Sequence, residues 1–248
     1  MRLDDSVLCR VLGRYKMYVD FRDYGLAPHL MMDGYWEMPV TEAIIRFVGS
    51  GMSVIDAGAN HGYFTLLMAD LVGGTGHVFA AEPNPRMMSL LEKSIEINGF
   101  RSRVTSVTEA LSSESGHTIT LHVPQDFPQN ASIKWNGNDQ SEGHGTTTLT
   151  IDELIGDRNV DFIKIDVEGA EEDVWKGMSS LIGRKKPLAI LLEFTPNRYV
   201  DAEAFLRSIM DEGFALAQVT PTKGVQATSV QDVLEGPVDQ DRMLILAR

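Results

Sequence analysis

From about residue 40 onward, short apolar runs alternate with stretches whose apolar residues recur at helical spacing. Ser53-Val-Ile-Asp56 reads as a first strand, followed by a glycine-rich turn and a helix over 64–71. A second strand over 77–81 leads into a helix over 85–97, which Asn98-Gly99 stops. Further strands fall at 104–107, 161–165 and 188–192. Two more, at 214–219 and 243–247, are separated by a polar loop. Strand and helix in repetition predict an α/β, Rossmann-like fold: a doubly wound, mostly parallel sheet with helices on both faces. In such a sheet ligands gather at the carboxyl ends of the strands.

Two segments break the rhythm. Residues 1–40, rich in tyrosine, read as an N-terminal extension packing near the acceptor site, with the Rossmann-like domain over 41–248. Residues 112–147 are rich in Ser, Gln, Asn, Gly and His around Ile119-Thr-Leu-His-Val123. A connection of that length is usually functional or disordered, and a hairpin plus a loop over the site is predicted.

Composition narrows the partners. The formal charge of −13 argues against nucleic acid, which needs a basic surface. No run approaches the roughly 18 apolar residues of a membrane helix, so no membrane is expected. The lone Cys9 offers neither an internal disulfide nor a cysteine zinc site; a reducing, cytoplasmic location follows as the expectation. A homodimer is compatible with the sequence.

Asp56-Ala-Gly-Ala-Asn-His-Gly62 stands where the first strand meets its helix. Gly58 permits a left-handed backbone, and Gly62 permits close approach. With Ala59 and Asn60 they form a candidate cofactor loop whose amides suit a carboxylate or phosphate. An acid before the first glycine would repel a pyrophosphate but suits a ligand with an ammonium group. Glu82 follows the second strand, where a carboxylate can accept both ribose hydroxyls. Pro83 and Asn84 continue that wall, and Glu109-Ala110-Leu111 ends the third strand beside a nucleobase position. Asp56 with Glu82 therefore describes a nucleoside site for a cationic amino-acid conjugate. The plainer alternative is that Asp56 caps a helix and Glu82 opens the turn at Pro83-Asn84-Pro85.

Taken with four further strings, these residues resemble the FkbM family of class I methyltransferases. The strings are Gly34-Tyr-Trp-Glu-Met-Pro-Val-Thr41, Ala81-Glu-Pro-Asn-Pro85, Thr148-Leu-Thr-Ile-Asp-Glu-Leu154 and Phe162-Ile-Lys-Ile-Asp-Val-Glu-Gly-Ala-Glu171; Glu193 closes the fifth strand. The resemblance implies a seven-stranded sheet with an antiparallel last strand, S-adenosyl-L-methionine as donor, and usually a hydroxyl acceptor on a small molecule, secondary metabolite or sugar. It sets the first motif on Asp56, Gly58, Asn60 and Gly62, and the ribose position on Glu82. His61 departs from the aliphatic residue more usual there.

The fourth strand carries the candidate chemistry. Alternation puts Lys164 and Asp166 on one face, and Glu168, Glu171 and Glu193 crowd the same strand ends. Asp166 is the candidate general base for a hydroxyl and also borders the cofactor. Asp166, Glu168 and Glu193 are, as a second alternative, a donor set for a divalent cation. A structural ion-pair network around Lys164 is the third alternative, and Glu171 is best read as a helix cap. His144, in Gly143-His-Gly145, is a candidate base on a loop; His122 and His29 read as structural. Trp36 and Trp135 are candidate acceptor-pocket walls, whereas Met87-Met88 read as core. A nicotinamide-dependent oxidoreductase and a non-catalytic nucleoside-binding domain remain the alternatives to a methyltransferase.

Overall fold

The computed structural model describes residues 5–134 and 141–248. First come the antiparallel hairpin of β1 (Ser6–Val11) and β2 (Tyr15–Asp20), then α1 (Ala27–Met32) and α2 (Met38–Phe47). The alternation starts with β3 (Ser53–Ala57), α3 (Tyr63–Leu71), β4 (His77–Ala81), α4 (Pro85–Ile97) and β5 (Val104–Val107). A lateral segment holds β6 (Ala110–Leu111), β7 (Thr118–Pro124) and β8 (Ser141–Leu149), and α5 (Ile151–Ile155) leads back. Next are β9 (Phe162–Ile165), α6 (Glu171–Lys176), α7 (Ser179–Gly183), β10 (Ala189–Phe194) and α8 (Ala202–Asp211). The last elements are β11 (Ala215–Thr220), β12 (Gly224–Ala227), α9 (Val230–Leu234) and β13 (Arg242–Ala247).

Among the described residues the main sheet has eight strands in the order β12-β11-β13-β10-β9-β3-β4-β5. β10, β9, β3, β4 and β5 are mutually parallel, and β13 enters antiparallel between β10 and β11. Seven of these match the expected sheet. The eighth, β12, folds back on β11 with Thr220 opposite Gly224, inside what the sequence presents as a polar loop. Gly224-Val-Gln-Ala227 has too little apolar character to announce a strand.

The central strands read as unbroken apolar runs because both faces are covered. Val54, Phe162 and Leu191 join one core with α2, α3, α4 and Met17 and Val19 of β2. Their neighbours Ile55, Ile163 and Ile190 join the other, with α5, α6, α7 and α8. The N-terminal hairpin lies on α4, where the Tyr18 amide donates to Ser94 Oγ at 2.9 Å. No helix among the described residues is long and apolar enough to cross a membrane.

Candidate active site

The carboxyl ends of β3, β4, β9 and β10 open together into a cavity of about 330 Å³. One end is apolar, walled by Met87, Ala110, Leu111, Leu121 and Pro128. The other is charged, walled by Glu37, Lys164, Asp166, Glu168, Glu193 and Arg198.

Backbone crossings fix the loop between β3 and α3. Gly58, at φ 78°, passes so close to β9 that a Cβ would sit 1.8 Å from the Asp166 carbonyl oxygen. Gly62, at φ 97°, leaves room for Leu91 of α4 rather than for a ligand, and it does not line the cavity. The amides of Gly58 and Ala59 donate to the Ala81 carbonyl, and the Asp166 amide to the Ala57 carbonyl. Three strand ends are thereby held in one frame.

Glu82 is 6% exposed and lines the cavity at its apolar end. Its two carboxylate oxygens accept from the Asn60 and Asn84 amides, each at 2.8 Å. Burial pushes its carboxyl up to about 7 despite those amides. Asn84 also caps α4, accepting from the Arg86 amide at 3.0 Å. Asn60 and Asn84 further donate to the Gln129 and Pro128 carbonyls at 3.4 Å, so the β7–β8 connection hangs over the apolar end. Pro83, Ala110 and Leu111 line the cavity and Glu109 does not. Met87 lines it too, so its place is cavity wall as well as core.

Asp56 is not where the sequence puts it. It is fully buried and absent from the cavity wall, because strand alternation aims it at α3 rather than off the strand end. Asp56 Oδ2 accepts from Thr65 Oγ1 at 2.5 Å, and Oδ1 lies 3.9 Å from Lys164 Nζ with no hydrogen bond. Lys164 stands in front of it, donating to Asp166 Oδ2 at 2.9 Å and reaching the Gly58 carbonyl at 3.4 Å. The two neighbouring carboxylates hold its ammonium charged although burial opposes this. The acid–lysine–acid row is a buried triad, with Asp166 its solvent-facing member.

Asp166, Glu168 and Glu193 do converge: each offers an oxygen within 4.8 Å of the others. Sequence reasoning missed Arg198, which donates to Glu193 Oε2 at 2.7 Å and to Glu168 Oε2 at 2.9 Å. Burial and mutual repulsion raise the Glu193 carboxyl well above its usual range, and Glu168 to about 7. Arg198 and Asp241 occupy loops without periodicity, so no pattern flagged them. Glu171 closes the turn into α6, its Oε1 accepting from the Val167 and Gly169 amides.

Glu37 was also missed, although it lies in the Gly34–Thr41 string. It precedes α2 at φ 40° and ψ 62°, a left-handed conformation that costs a non-glycine residue about 1–2 kcal/mol. Glu168, at φ 54°, shares this strain, and both face the cavity. The Glu37 residue is open to the cavity, yet crowding by protein and the nearby Asp166 raise its carboxyl above the usual range. That open face tempers the effect, since water still reaches the group.

His61 lines the cavity while fully buried. Its Nε2 accepts from the Asp20 amide at 3.1 Å, and Nδ1 lies 3.8 Å from Asp23 Oδ2, which ties the loop to the N-terminal segment. Burial pushes the imidazole down to about 4, so it is neutral. His144 does not reach the cavity wall. Gly143-His-Gly145 is part of strand β8, with His144 opposite Leu121, because the threonine run after it extends the ladder with β7. Trp36 lines the cavity, its ring tilted against that of His29 with centroids 5.3 Å apart; His122 lies in β7; Trp135 lies outside the described residues.

A family model for the methyltransferase FkbM domain matches residues 56–216. A protein-L-isoaspartate O-methyltransferase from Methanothrix thermoacetophila is 35% identical over 52 residues, 21% of this chain and 25% of that protein. The methyltransferase FkbM from Methylobacillus flagellatus is 18% identical, with 80% of this chain and 44% of its own covered at a TM-score of 0.49. A SAM-dependent O-methyltransferase from Thermotoga maritima is 15% identical over 100% of this chain and 94% of its own, at a TM-score of 0.50. The Thermotoga likeness concerns the fold. This chain thus spans less than half of the Methylobacillus protein and matches a quarter of the Methanothrix one.

Proposed function

The chain belongs to the FkbM methyltransferase family, and we propose that it transfers a methyl group from S-adenosylmethionine to a hydroxyl of a small molecule, secondary metabolite or sugar. The observation that carries this is one continuous cavity bounded by Glu82 and apolar walls at one end and by Asp166 with Lys164 at the other. The donor fits those residues: Glu82 keeps lone pairs for ribose hydroxyls beyond its two amide contacts, and the apolar end suits a purine.

When bound, S-adenosylmethionine supplies a methyl group on a positively charged sulfur, activated for displacement. The chain's own residues do the rest. The frame around Gly58 and Asp166 orients the reactants, which supplies much of the acceleration in an in-line displacement. Asp166 accepts the proton of the acceptor hydroxyl, and Lys164 holds that carboxylate in place. Arg198 brings to Glu168 and Glu193 the positive charge that a divalent cation would otherwise bring. A further groove of about 750 Å³ shares Glu168, Arg198 and Asp241 with the cavity and gives the acceptor its approach.

The test is a transfer screen with labelled donor against hydroxylated metabolites and sugars, alongside calorimetry with S-adenosylhomocysteine and with NAD. Donor-product binding with label on an acceptor oxygen is expected. Tight NAD binding with none of S-adenosylhomocysteine would sink the proposal.

A further inference from the structure

A donor with an amino-acid tail brings an ammonium group into the cavity, and a partly desolvated ammonium needs a carboxylate beside it. The acid before the first glycine, Asp56, is unavailable: it is fully buried behind Lys164. The carboxylates that do face the cavity are mostly committed. Glu82 takes two amides, Asp166 takes Lys164, and Glu168 and Glu193 share Arg198. Asp241 accepts from Thr195 Oγ1 at 2.6 Å.

Glu37 differs from all of these. Among the described residues its carboxylate has no hydrogen-bond or ion-pair partner, although it lines the cavity and has Asp166 and Lys164 as its electrostatic neighbours. Its place is also fixed. The Trp36 carbonyl accepts from Thr41 Oγ1 at 3.0 Å, and that hydroxyl meets Tyr63 Oη, on the first residue of α3, at 3.1 Å. The left-handed backbone at Glu37 is therefore bolted to the helix that follows the cofactor loop, and strain retained at a cavity wall is a mark of function. The matched family span begins at Asp56, so Glu37 lies outside it.

We propose that Glu37 is the anchor for the ammonium group of the donor's amino-acid tail, so that the segment before the first sheet strand completes the cofactor site. The assignment rests on S-adenosylmethionine being the donor. Glu37 then holds the amino-acid end of the ligand and Glu82 the ribose at its middle.

The experiment is a binding cycle by calorimetry. Wild type and Glu37→Gln are titrated with S-adenosylhomocysteine, with its deamino analogue, and with 5′-methylthioadenosine, which lacks the tail. In the wild type the deamino analogue binds roughly tenfold or more weakly than S-adenosylhomocysteine, the scale of a charge-assisted hydrogen bond. In Glu37→Gln the two bind alike, and 5′-methylthioadenosine binds as it does to the wild type. Full discrimination retained by Glu37→Gln overturns the proposal, as does an equal loss for all three ligands. Glu37→Asn repeats the cycle with a residue that tolerates the left-handed conformation, should Glu37→Gln fold poorly. A wild type that binds none of the three fails the donor assignment itself, a separate result that removes this proposal with it.

Discussion

The two ends of the cavity solve opposite problems. At the apolar end a single carboxylate, Glu82, is pinned by two backbone amides and surrounded by aliphatic side chains. At the charged end Asp166, Glu168 and Glu193 share Lys164 and Arg198, and burial raises Glu168 and Glu193. A rigid, satisfied group recognises a shape, whereas a cluster in electrostatic tension holds protons that can move. On the proposed reading the difference separates binding from chemistry within one pocket, and substitutions at the two ends should separate the corresponding constants.

The largest effect is expected at Asp166. Asp166→Asn should lower kcat by about 10²–10⁴, the usual contribution of a general base, while S-adenosylhomocysteine affinity changes only a few-fold. Labelled transfer and calorimetry on the same preparation check it; an equal loss in both would erase the contrast. Glu82→Ala is the mirror experiment. It strips two amides of their acceptor and removes the proposed ribose contact, so donor KM should rise by about 10–100-fold with kcat less affected.

Acidity sharpens the comparison next. Glu82 and Glu168 are both raised to about 7, so lowering the pH through 7 protonates a carboxylate at each end. Because a protonated Glu82 no longer accepts from both ribose hydroxyls on the proposed reading, kcat/KM for the donor should fall by about tenfold per pH unit below 7 and level off above it. A flat profile from pH 5 to 8 would contradict the raised values. Exhaustive chelation should have the smallest effect, less than about twofold, because Arg198 already bridges Glu168 and Glu193. Activity lost on chelation and restored by a divalent cation would reassign the charged end.

Most of the central sheet was legible because parallel strands covered on both faces read as apolar runs: β3, β4, β5 and α4 fall where the spacing puts them. β12 was not, since its pairing with β11 depends on a turn and a neighbour rather than on composition. Glu82 and Asp166 were legible as residues at strand ends. Asp56 was misplaced because being near a strand end does not say which way a side chain points. Glu37, Arg198 and Asp241 enter from loops, and only the folded chain brings them to the cavity.

The placement of β3 between β4 and β9 has a consequence for synthesis. Val54 pairs with Val78 soon after it leaves the ribosome, but its other neighbour is Phe162, made much later. Until then the half-sheet of β3, β4 and β5 presents β3 as an open apolar edge, the kind of surface to which other nascent chains add. The Gly58 loop likewise waits for Asp166. Emergence of β9 covers β3 and supplies the Asp166 carbonyl that the Gly58 crossing needs, and it passes the open apolar edge on to β9 itself until β10 pairs with it.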